Sequence, residues 1–322
     1  MQRIVAVAMG AGPEAGGSGV FRDLNKGKSK EVEVRPYVAG LIQGLKKLGL
    51  EQGRDYAIDY ATCEPKTLRA IVKKALADED ADVIFAMSTS AVKAAMAVTK
   101  DIPIVFPSVS EPEQDKVVKS SAAPGMNVTG VRAMRSQTAG ECLELFKATV
   151  PSLKKIFGLH KKDYGPANNA LSRLKPSIRR AGVAFKPILV ESHKDIEAKL
   201  LDIARKEAPG QAGVLALPDD LVLSASRLIA TIGRDKKLPT FFPTTDWVTS
   251  GSPSALGGYG VPQKVCGEAA AVYVYKILKG VQANHLPVKR IGGFEWAVNS
   301  QVARAIGVEI PKHILAAADR VI

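Results

Sequence analysis

Short apolar runs alternate with amphipathic segments along almost the whole chain, and this alternation limits the possible folds more than any other feature. Residues 4–9 form an apolar run typical of a buried strand, and residues 36–48 repeat apolar side chains three and four positions apart, as an α-helix does. The series continues with predicted strands at 56–60, 83–87 and 102–106 and predicted helices at 67–77 and 91–98. This β-α order predicts a parallel sheet with helices on both faces.

A second series of the same kind begins near residue 155. It comprises predicted strands at 155–159, 184–190, 214–217 and 240–242 and predicted helices at 167–181, 196–206 and 221–232. Two successive series predict an α/β protein with two Rossmann-like lobes, in which each parallel sheet is flanked by helices.

Three segments are predicted to cross between the lobes, at 127–132, 256–261 and 292–299, and together they would form a hinge. The predicted first lobe comprises residues 1–130 plus 259–291. The predicted second lobe comprises residues 131–258 plus 292–322, with a ligand cleft between the two. Residues 10–33 are rich in Gly, Lys and Ser and show no periodicity, so they are predicted to form a long surface loop.

Composition supports a packed, soluble protein. Of the 322 residues 46% are hydrophobic and 24% are charged, and no apolar run reaches the eighteen or so residues of a membrane span. The first residues, Met-Gln-Arg-Ile-Val, follow a strand pattern and not that of a signal peptide. Two interpretations stay open: a cytosolic protein, or a mature exported chain whose leader was replaced by a start Met.

The formal net charge of +13 raises nucleic-acid binding as a possible function. The Lys and Arg residues are, however, spread along the chain and interleaved with Glu and Asp. The densest basic groups, at 26–30 and 154–162, contain no interleaved aromatic residues and match no nucleic-acid motif. A solvated basic surface is therefore the favoured interpretation, and no nucleic-acid partner is expected.

No catalytic, metal or cofactor motif stands out. Cys63, Cys142 and Cys266 are far apart, and the four His residues show no spacing to a candidate ligand or nucleophile. Cys142 and Cys266 fall within apolar helical patterns and are predicted to be buried thiols. There is no P-loop, nucleophile elbow or dinucleotide-binding glycine motif, so neither an enzyme nor a bound cofactor is expected.

Candidate ligand-binding residues follow the predicted strands, because open parallel sheets bind ligands outside the carboxyl ends of their strands. In the first series these residues are Met9 and Gly10, the hydroxyl run Ser88, Thr89 and Ser90, and the loop residues Ser108, Val109 and Ser110. The hydroxyl run precedes a predicted helix and could seat an anion there. Ordinary helix capping by a single hydroxyl explains the same run equally well.

The second series supplies both acidic and aromatic candidates. They are Tyr164, the pair Asp219 and Asp220, the loop residues Thr245, Asp246 and Trp247, and Tyr259 between two glycines. One Asp before a helix is a common cap, but a second exceeds that need, so one of the pair is expected to face the cleft. A Trp in a loop at a strand end is larger than such loops usually require.

Several stretches resemble one known family. They are Arg35-Pro36-Tyr37-Val38-Ala39-Gly40, Lys100-Asp101-Ile102-Pro103-Ile104-Val105-Phe106, Pro124-Gly125-Met126-Asn127-Val128-Thr129-Gly130-Val131, Leu217-Pro218-Asp219-Asp220 and Gly258-Tyr259-Gly260-Val261. The chain resembles ABC-transporter substrate-binding proteins of the tryptophan/tyrosine (TrpX-like) type over nearly its whole length. It departs from the family pattern near the predicted cleft, for example at Glu111-Pro112 where the family has Asp-Pro.

The resemblance implies the type I periplasmic-binding-protein fold and a periplasmic or cell-envelope location. It also implies capture of a small molecule by lobe closure and docking of a monomer onto membrane permease subunits. An aromatic amino acid or aromatic acid is the expected ligand. The serines and Thr89 would bind its carboxylate, the Asp residues its amine or hydroxyl, and Tyr164, Trp247 and Tyr259 its apolar part. A ligand sensor of the same fold without a transport role is the alternative.

Overall fold

The computed structural model describes residues 1–9, 18–23, 28–33, 35–63, 67–78, 81–251 and 253–322. The chain forms two compact units, one made of Met1–Met134 with Gln263–Gly292 and the other of Arg135–Pro262 with Gly293–Ile322. It passes between them at 134/135, 262/263 and 292/293, a few residues from the crossings predicted at 130/131, 258/259 and 291/292. Tyr259, predicted in the first lobe, belongs to the second unit because its strand pairs there.

The strands of the described residues are numbered in chain order: β1 (Gln2–Met9), β2 (Ser18–Asp23), β3 (Lys28–Glu33), β4 (Tyr56–Cys63), β5 (Val83–Ala86), β6 (Ile104–Phe106), β7 (Val128–Arg132), β8 (Lys155–His160), β9 (Ala184–Leu189), β10 (Ala212–Ala216), β11 (Thr240–Phe242), β12 (Gly257–Gly260), β13 (Lys289–Arg290), β14 (Glu295–Val298) and β15 (Arg320–Val321). The α-helices are α1 (Pro36–Lys47), α2 (Leu68–Asp78), α3 (Thr89–Met96), α4 (Ala139–Thr149), α5 (Gly165–Ala181), α6 (His193–Lys206), α7 (Asp220–Ser224), α8 (Ser226–Asp235), α9 (Gln263–Leu278), α10 (Ser300–Ile306) and α11 (Lys312–Ala317).

The first unit is built on a sheet whose strand order, among the described residues, is β13-β7-β6-β5-β1-β4-β2-β3. All neighbouring pairs in it are parallel except β2 with β3. Strands β5 and β6 are fully buried because helices cover both faces, as their continuous apolar sequences indicate. The parallel α/β prediction for this part of the chain is confirmed.

The second unit has a sheet of order β15-β14-β12-β11-β10-β8-β9 in the described part of the chain. It is parallel from β9 to β12, and β14 pairs antiparallel with β12. Buried apolar side chains lie on both sides of this sheet, one group with α4, α5 and α10 and the other with α6 and α8. The second α/β series is therefore also confirmed.

The predicted surface loop at 10–33 is wrong for two of its parts. Strands β2 and β3 form an antiparallel pair, and β2 adds to the first sheet through parallel pairing of Arg22 and Asp23 with Asp59 and Tyr60. Such an edge pair is held by main-chain hydrogen bonds and needs no apolar alternation, so periodicity gave no signal. The remainder of the predicted loop lies outside the described residues.

Candidate functional site

Both units gather predicted residues at one edge of their sheet. In the first unit, β1, β5, β6 and β7 run parallel, so the segments that follow them emerge on the same side. In the second unit, β8, β10, β11 and β12 do the same. Met9 is the last residue of β1, and Gly10 lies outside the described residues.

Ser88 caps the helix that follows β5. Its backbone is extended, and its hydroxyl accepts a 3.1 Å hydrogen bond from the N–H of Ala91, so this side chain performs the ordinary capping role. Thr89 is buried in the first turn of α3, and Ser90 is half-buried beside it. The hydroxyl run therefore begins a helix at the sheet edge, and its contact with a ligand stays a prediction.

The loop after β6 is buried, but its three predicted residues differ in environment. Val109 has no exposed surface and packs in the apolar core of the first unit, so its side chain contributes to folding. Ser108 and Ser110 are 8% and 6% exposed and flank it. The carbonyl oxygen of Ser110 accepts a 3.1 Å hydrogen bond from Nε of Arg132 at the end of β7.

Arg132 was not among the predicted site residues, yet its guanidinium contacts several polar groups of the loop that follows β6 at this edge of the sheet. Its guanidinium lies 3.5 Å from the carboxylate of Glu113 and 3.5 Å from the hydroxyl of Ser121, which itself donates to Glu113. Burial alone would raise the pKa of Glu113, but hydrogen bonds from Ser121 and the backbone and the charge of Arg132 leave that pKa below its ordinary value. The network ties the Ser110 loop to β7.

In the second unit, the loop after β8 presents a cation above an aromatic ring. The ammonium of Lys161 lies 5.0 Å from the centre of the Tyr164 ring, within the range of a cation–π interaction. Tyr164 is 8% exposed and packs in an apolar cluster, so most of its ring is already covered by protein. Lys161 was grouped with the solvated basic residues in the sequence, and only the fold places it beside the predicted tyrosine.

Asp219 and Asp220 take different environments although they are neighbours. Asp219 has no exposed surface and accepts hydrogen bonds from the backbone N–H groups of Leu221, Val222 and Lys161. Burial, opposed by these hydrogen bonds and assisted by the charge of Asp220, raises the pKa of Asp219. Asp220 is half-buried at the start of α7, so it is the member of the pair with exposed surface.

The loop after β11 contains two buried polar atoms that lack a hydrogen-bond partner in the described part of the chain. They are Oγ1 of Thr245, a residue that is 1% exposed, and Nε1 of Trp247. The hydroxyl of the preceding Thr244, in contrast, donates to Asp246. The Trp247 ring lies against Phe242 with ring centres 6.4 Å apart. This loop therefore combines apolar packing with two unused donors.

Tyr259 lies in an aromatic pair on β12. Its ring stacks on Phe294 with centres 5.7 Å apart, and its register partner across the sheet is Trp296 on β14. Burial and then the charge of Glu141 raise the pKa of Tyr259. Phe294 was missed from the sequence because no local pattern marks a residue that pairs across two strands.

The second unit contains a cavity of about 370 Å³, and none of the predicted ligand-binding residues lines it. It is lined mainly by α10 and the segment after it, including Ala303, Arg304, Val308, Ile310 and Leu315. Because β14 runs antiparallel to β12, the helix that follows β14 begins at the opposite edge of the sheet. The described residues contain no group of three or more His, Cys, Asp and Glu able to hold a metal ion.

Comparison with known proteins gives one family match and several relatives. The family model described as ABC transporter substrate binding protein matches residues 34–322. The tyrosine-binding protein of Clostridioides difficile is 25% identical over 273 residues, covering 84% of this chain and 76% of the relative.

Two solved structures share the fold. A conserved domain protein from Vibrio cholerae is 26% identical with a TM-score of 0.80, and the alignment covers 100% of this chain and 99% of that one. An ABC domain from Streptococcus pneumoniae, solved in complex with L-Trp, is 22% identical with a TM-score of 0.80 and the same coverage of both chains. In the described residues of the present chain, helices that are both long and apolar enough to cross a membrane are absent.

Proposed function

This chain belongs to the family of ABC transporter substrate-binding proteins, and we propose that its ligand is an aromatic amino acid or a closely related aromatic acid. Members of this family are solute-binding proteins and not enzymes, so the chain captures a small molecule for an ABC permease and performs no chemistry on it. The expected type I periplasmic-binding-protein fold is confirmed by the structural relatives. We further propose that it acts as a monomer in the periplasm or cell envelope.

The choice of an aromatic ligand is supported by the relatives and by this chain's own residues. One relative is named for tyrosine binding, and another was solved with L-Trp. In this chain, the carboxyl ends of β8, β10, β11 and β12 form one edge of the second sheet, which we call its ligand edge. Three aromatic residues lie on or beside these strands at that edge: Tyr164, Trp247 and Tyr259. An aromatic ligand stacked on such a ring would gain about 0.5–1.5 kcal/mol beyond the burial of its surface.

The observation that carries the proposal is the pair of unused donors at Thr245 and Trp247. An unpaired buried donor costs about 1–3 kcal/mol, so a loop that keeps two of them is expected to serve an acceptor that is not part of its own fold. A carboxylate offers such acceptors. These donors join the serines of the first unit as candidates for the carboxylate of an amino acid.

The remaining predicted residues are assigned to the amine or to the carboxylate of the ligand according to their own charge. We assign the amine of the ligand to Asp220 and Asp246, which are both half-buried near the ends of parallel strands. The first unit would supply Ser88, Ser108 and Ser110 to the carboxylate. A ligand held by both lobes gains its full set of contacts only when they close, so binding would shift the population towards the closed form.

A thermal-shift screen of the purified chain tests this function. The ligands are tyrosine, tryptophan, phenylalanine, branched amino acids, aromatic acids, keto acids and nucleosides. A ligand at a hundred times its Kd stabilises the folded state by about 2.7 kcal/mol, which raises Tm measurably. A selective rise with aromatic amino acids is expected, and a rise with nucleosides or keto acids alone would contradict the proposed ligand.

Three matched indole compounds then test the contacts to the amine and to the carboxylate of the ligand separately. Tryptophan carries both the amine and the carboxylate, indole-3-propionate lacks the amine, and tryptamine lacks the carboxylate. If Asp220 meets the amine, the wild-type chain should prefer tryptophan over indole-3-propionate, and Asp220→Asn should reduce that preference by about tenfold or more. An unchanged preference in Asp220→Asn would remove Asp220 from the site.

A further inference from the structure

Asp219 joins two loops at the ligand edge of the second sheet. Its Oδ1 accepts hydrogen bonds of 2.9 and 3.3 Å from the N–H groups of Leu221 and Val222, which lie in the first turn of α7 after β10. Its Oδ2 accepts a 2.8 Å hydrogen bond from the N–H of Lys161, fifty-eight positions earlier in the chain, in the loop after β8. One carboxylate thus fixes the loops that follow two paired strands.

The same contacts leave Asp219 poorly placed to meet a ligand. The residue has no exposed surface, and each of its oxygens already accepts from the backbone. The neighbouring Asp220 retains exposed surface and is the better candidate for direct contact. The two neighbouring aspartates therefore differ in burial, because Asp219 is fully buried and Asp220 is only half-buried.

The loop that Asp219 fixes is the one that carries Tyr164. Lys161 places its ammonium 5.0 Å from the centre of the Tyr164 ring. Between them, Asp163 adopts a left-handed backbone conformation with φ of 56°, which is uncommon for a residue other than glycine. A tight loop with such a residue keeps its shape only while surrounding contacts hold it, and the Asp219 bond to Lys161 is one of them.

We propose that Asp219 is a positioning residue of the ligand site: it holds residues 161–164 so that Lys161 and Tyr164 present their side chains in the binding geometry. This inference rests on the proposed function, because it treats Tyr164 as part of the ligand site. It differs from the sequence-based expectation that Asp219 itself receives an amine or hydroxyl.

Asp219→Asn is the informative variant. The amide oxygen can still cap α7, whereas the amide NH2 would face the N–H of Lys161, so two donors would meet and the bond between the loops would be lost. Asp219→Ser is the second variant, since serine is a good helix cap but has only one oxygen and a shorter reach. Ser192→Ala is the matched control, because it removes a single capping bond, from the N–H of Asp195, at the start of α6.

Hydrogen exchange of the unliganded proteins provides the first readout and needs no ligand. The amide of Lys161 is expected to exchange about fivefold faster or more in both Asp219 variants, because loss of its hydrogen bond to the Asp219 carboxylate raises the population of the open, exchange-competent loop. Ser192→Ala should leave this amide unchanged. Unchanged exchange in Asp219→Asn and in Asp219→Ser would overturn the proposal.

Binding kinetics provide the second readout, with the aromatic ligand found in the screen. When the loop holds its binding-competent conformation for a smaller fraction of the time, the apparent Kd rises in inverse proportion to that fraction. The change appears mainly as a slower association rate. We expect about a tenfold loss in association rate for Asp219→Asn, whereas Asp220→Asn should mainly accelerate dissociation. Faster dissociation alone in Asp219→Asn would make Asp219 a contact residue and overturn its positioning role.

The two readouts separate the failure of this inference from failure of the proposed function. If no screened ligand binds the wild-type chain, the proposed function fails, and exchange at Lys161 still decides whether Asp219 orders the loop. If exchange accelerates but affinity for a confirmed ligand is unchanged, the loop is not part of the ligand site. That outcome would overturn the inference and leave the substrate-binding role intact.

Discussion

Gly40 in α1 lies so close to the backbone of α9 that a β carbon at position 40 would come within 2.0 Å of the carbonyl oxygen of Lys264. Gly267 repeats this relationship from α9, where a β carbon would lie 2.0 Å from the carbonyl oxygen of Tyr37. The two helices therefore approach through glycines placed on both sides of the contact. The atoms in the way belong to the backbone and cannot rotate aside.

Gly40→Ala is expected to destabilise the chain by about 1–3 kcal/mol, as overpacking of a close contact does. Alanine has a higher helix propensity than glycine, which by itself would stabilise the helix by about 1 kcal/mol. The steric cost of the new β carbon is therefore larger than the net destabilisation that is measured. Urea unfolding measures the difference. Gly292→Ala is the control, since a β carbon there meets no atom within 4 Å. Equal stability of Gly40→Ala and the wild type would contradict the close contact.

Adjacent threonines offer a second, internally controlled comparison. Thr245 buries a hydroxyl that lacks a partner in the described part of the chain, whereas the Thr244 hydroxyl donates to Asp246. Thr245→Val should therefore raise the free energy of unfolding of the unliganded chain by about 1 kcal/mol. Thr244→Val should lower it by a similar amount, because the buried hydrogen bond to Asp246 is lost.

The same threonine pair links stability to binding. If the Thr245 hydroxyl serves the ligand, Thr245→Val should bind the aromatic ligand more weakly while being more stable without it. Chemical denaturation of the unliganded variant and calorimetric titration with the ligand measure the two effects separately. A variant that gains stability and keeps full affinity would show that the hydroxyl has no role in binding.

The regular elements were predictable because their signal is local. Apolar spacing predicted a helix at 36–48, and the helix occupies Pro36–Lys47. Ser88 was predicted to begin a helix or bind an anion, and the capping role needs only the N–H three residues later. Short-range periodicity and capping chemistry therefore recover most of both α/β series.

The environment of several predicted site residues depends on contacts with residues distant in the sequence, which local patterns cannot predict. Asp219 and Asp220 are identical residue types, and the long-range hydrogen bond that the buried Asp219 accepts from the N–H of Lys161 cannot be read from the local sequence. Val109 was predicted at the site because it follows a strand, but the first unit's core encloses it. Strands β2 and β3 complete one end of the first sheet, with β3 at its edge, and main-chain pairing of this kind requires no period-two pattern in the sequence.

Glu113 is expected to make part of the stability dependent on pH. Its pKa is below the ordinary 4.5 in the folded chain, because Ser121, the backbone and Arg132 outweigh the opposing effect of burial. The ionised carboxylate therefore contributes stability above pH 4.5, and this contribution is lost as the pH falls through the folded-state pKa. Glu113→Gln should lower stability near neutral pH and reduce the loss on acidification.

Unfolding at a series of pH values from about 6 to about 3 measures this difference. Glu197→Gln, at an exposed position on α6, removes one negative charge away from the Arg132 network and serves as the control. Parallel stability curves for Glu113→Gln and the wild type, offset by a constant, would show that Glu113 titrates alike in the folded and unfolded chains.

Cys142 and Cys266 are expected to be unreactive in the native chain. Neither forms a disulfide, both are buried with 1% and 0% exposure, and burial raises the pKa of the Cys142 thiol. Because the thiolate is the reacting form, a buried neutral thiol reacts only when the surrounding structure opens. In a Cys63→Ser variant, Ellman's reagent should therefore detect almost no thiol natively and two thiols in guanidinium. Rapid native labelling would contradict this burial, whereas slow labelling would measure how often the helices α4 and α9 that carry these residues open.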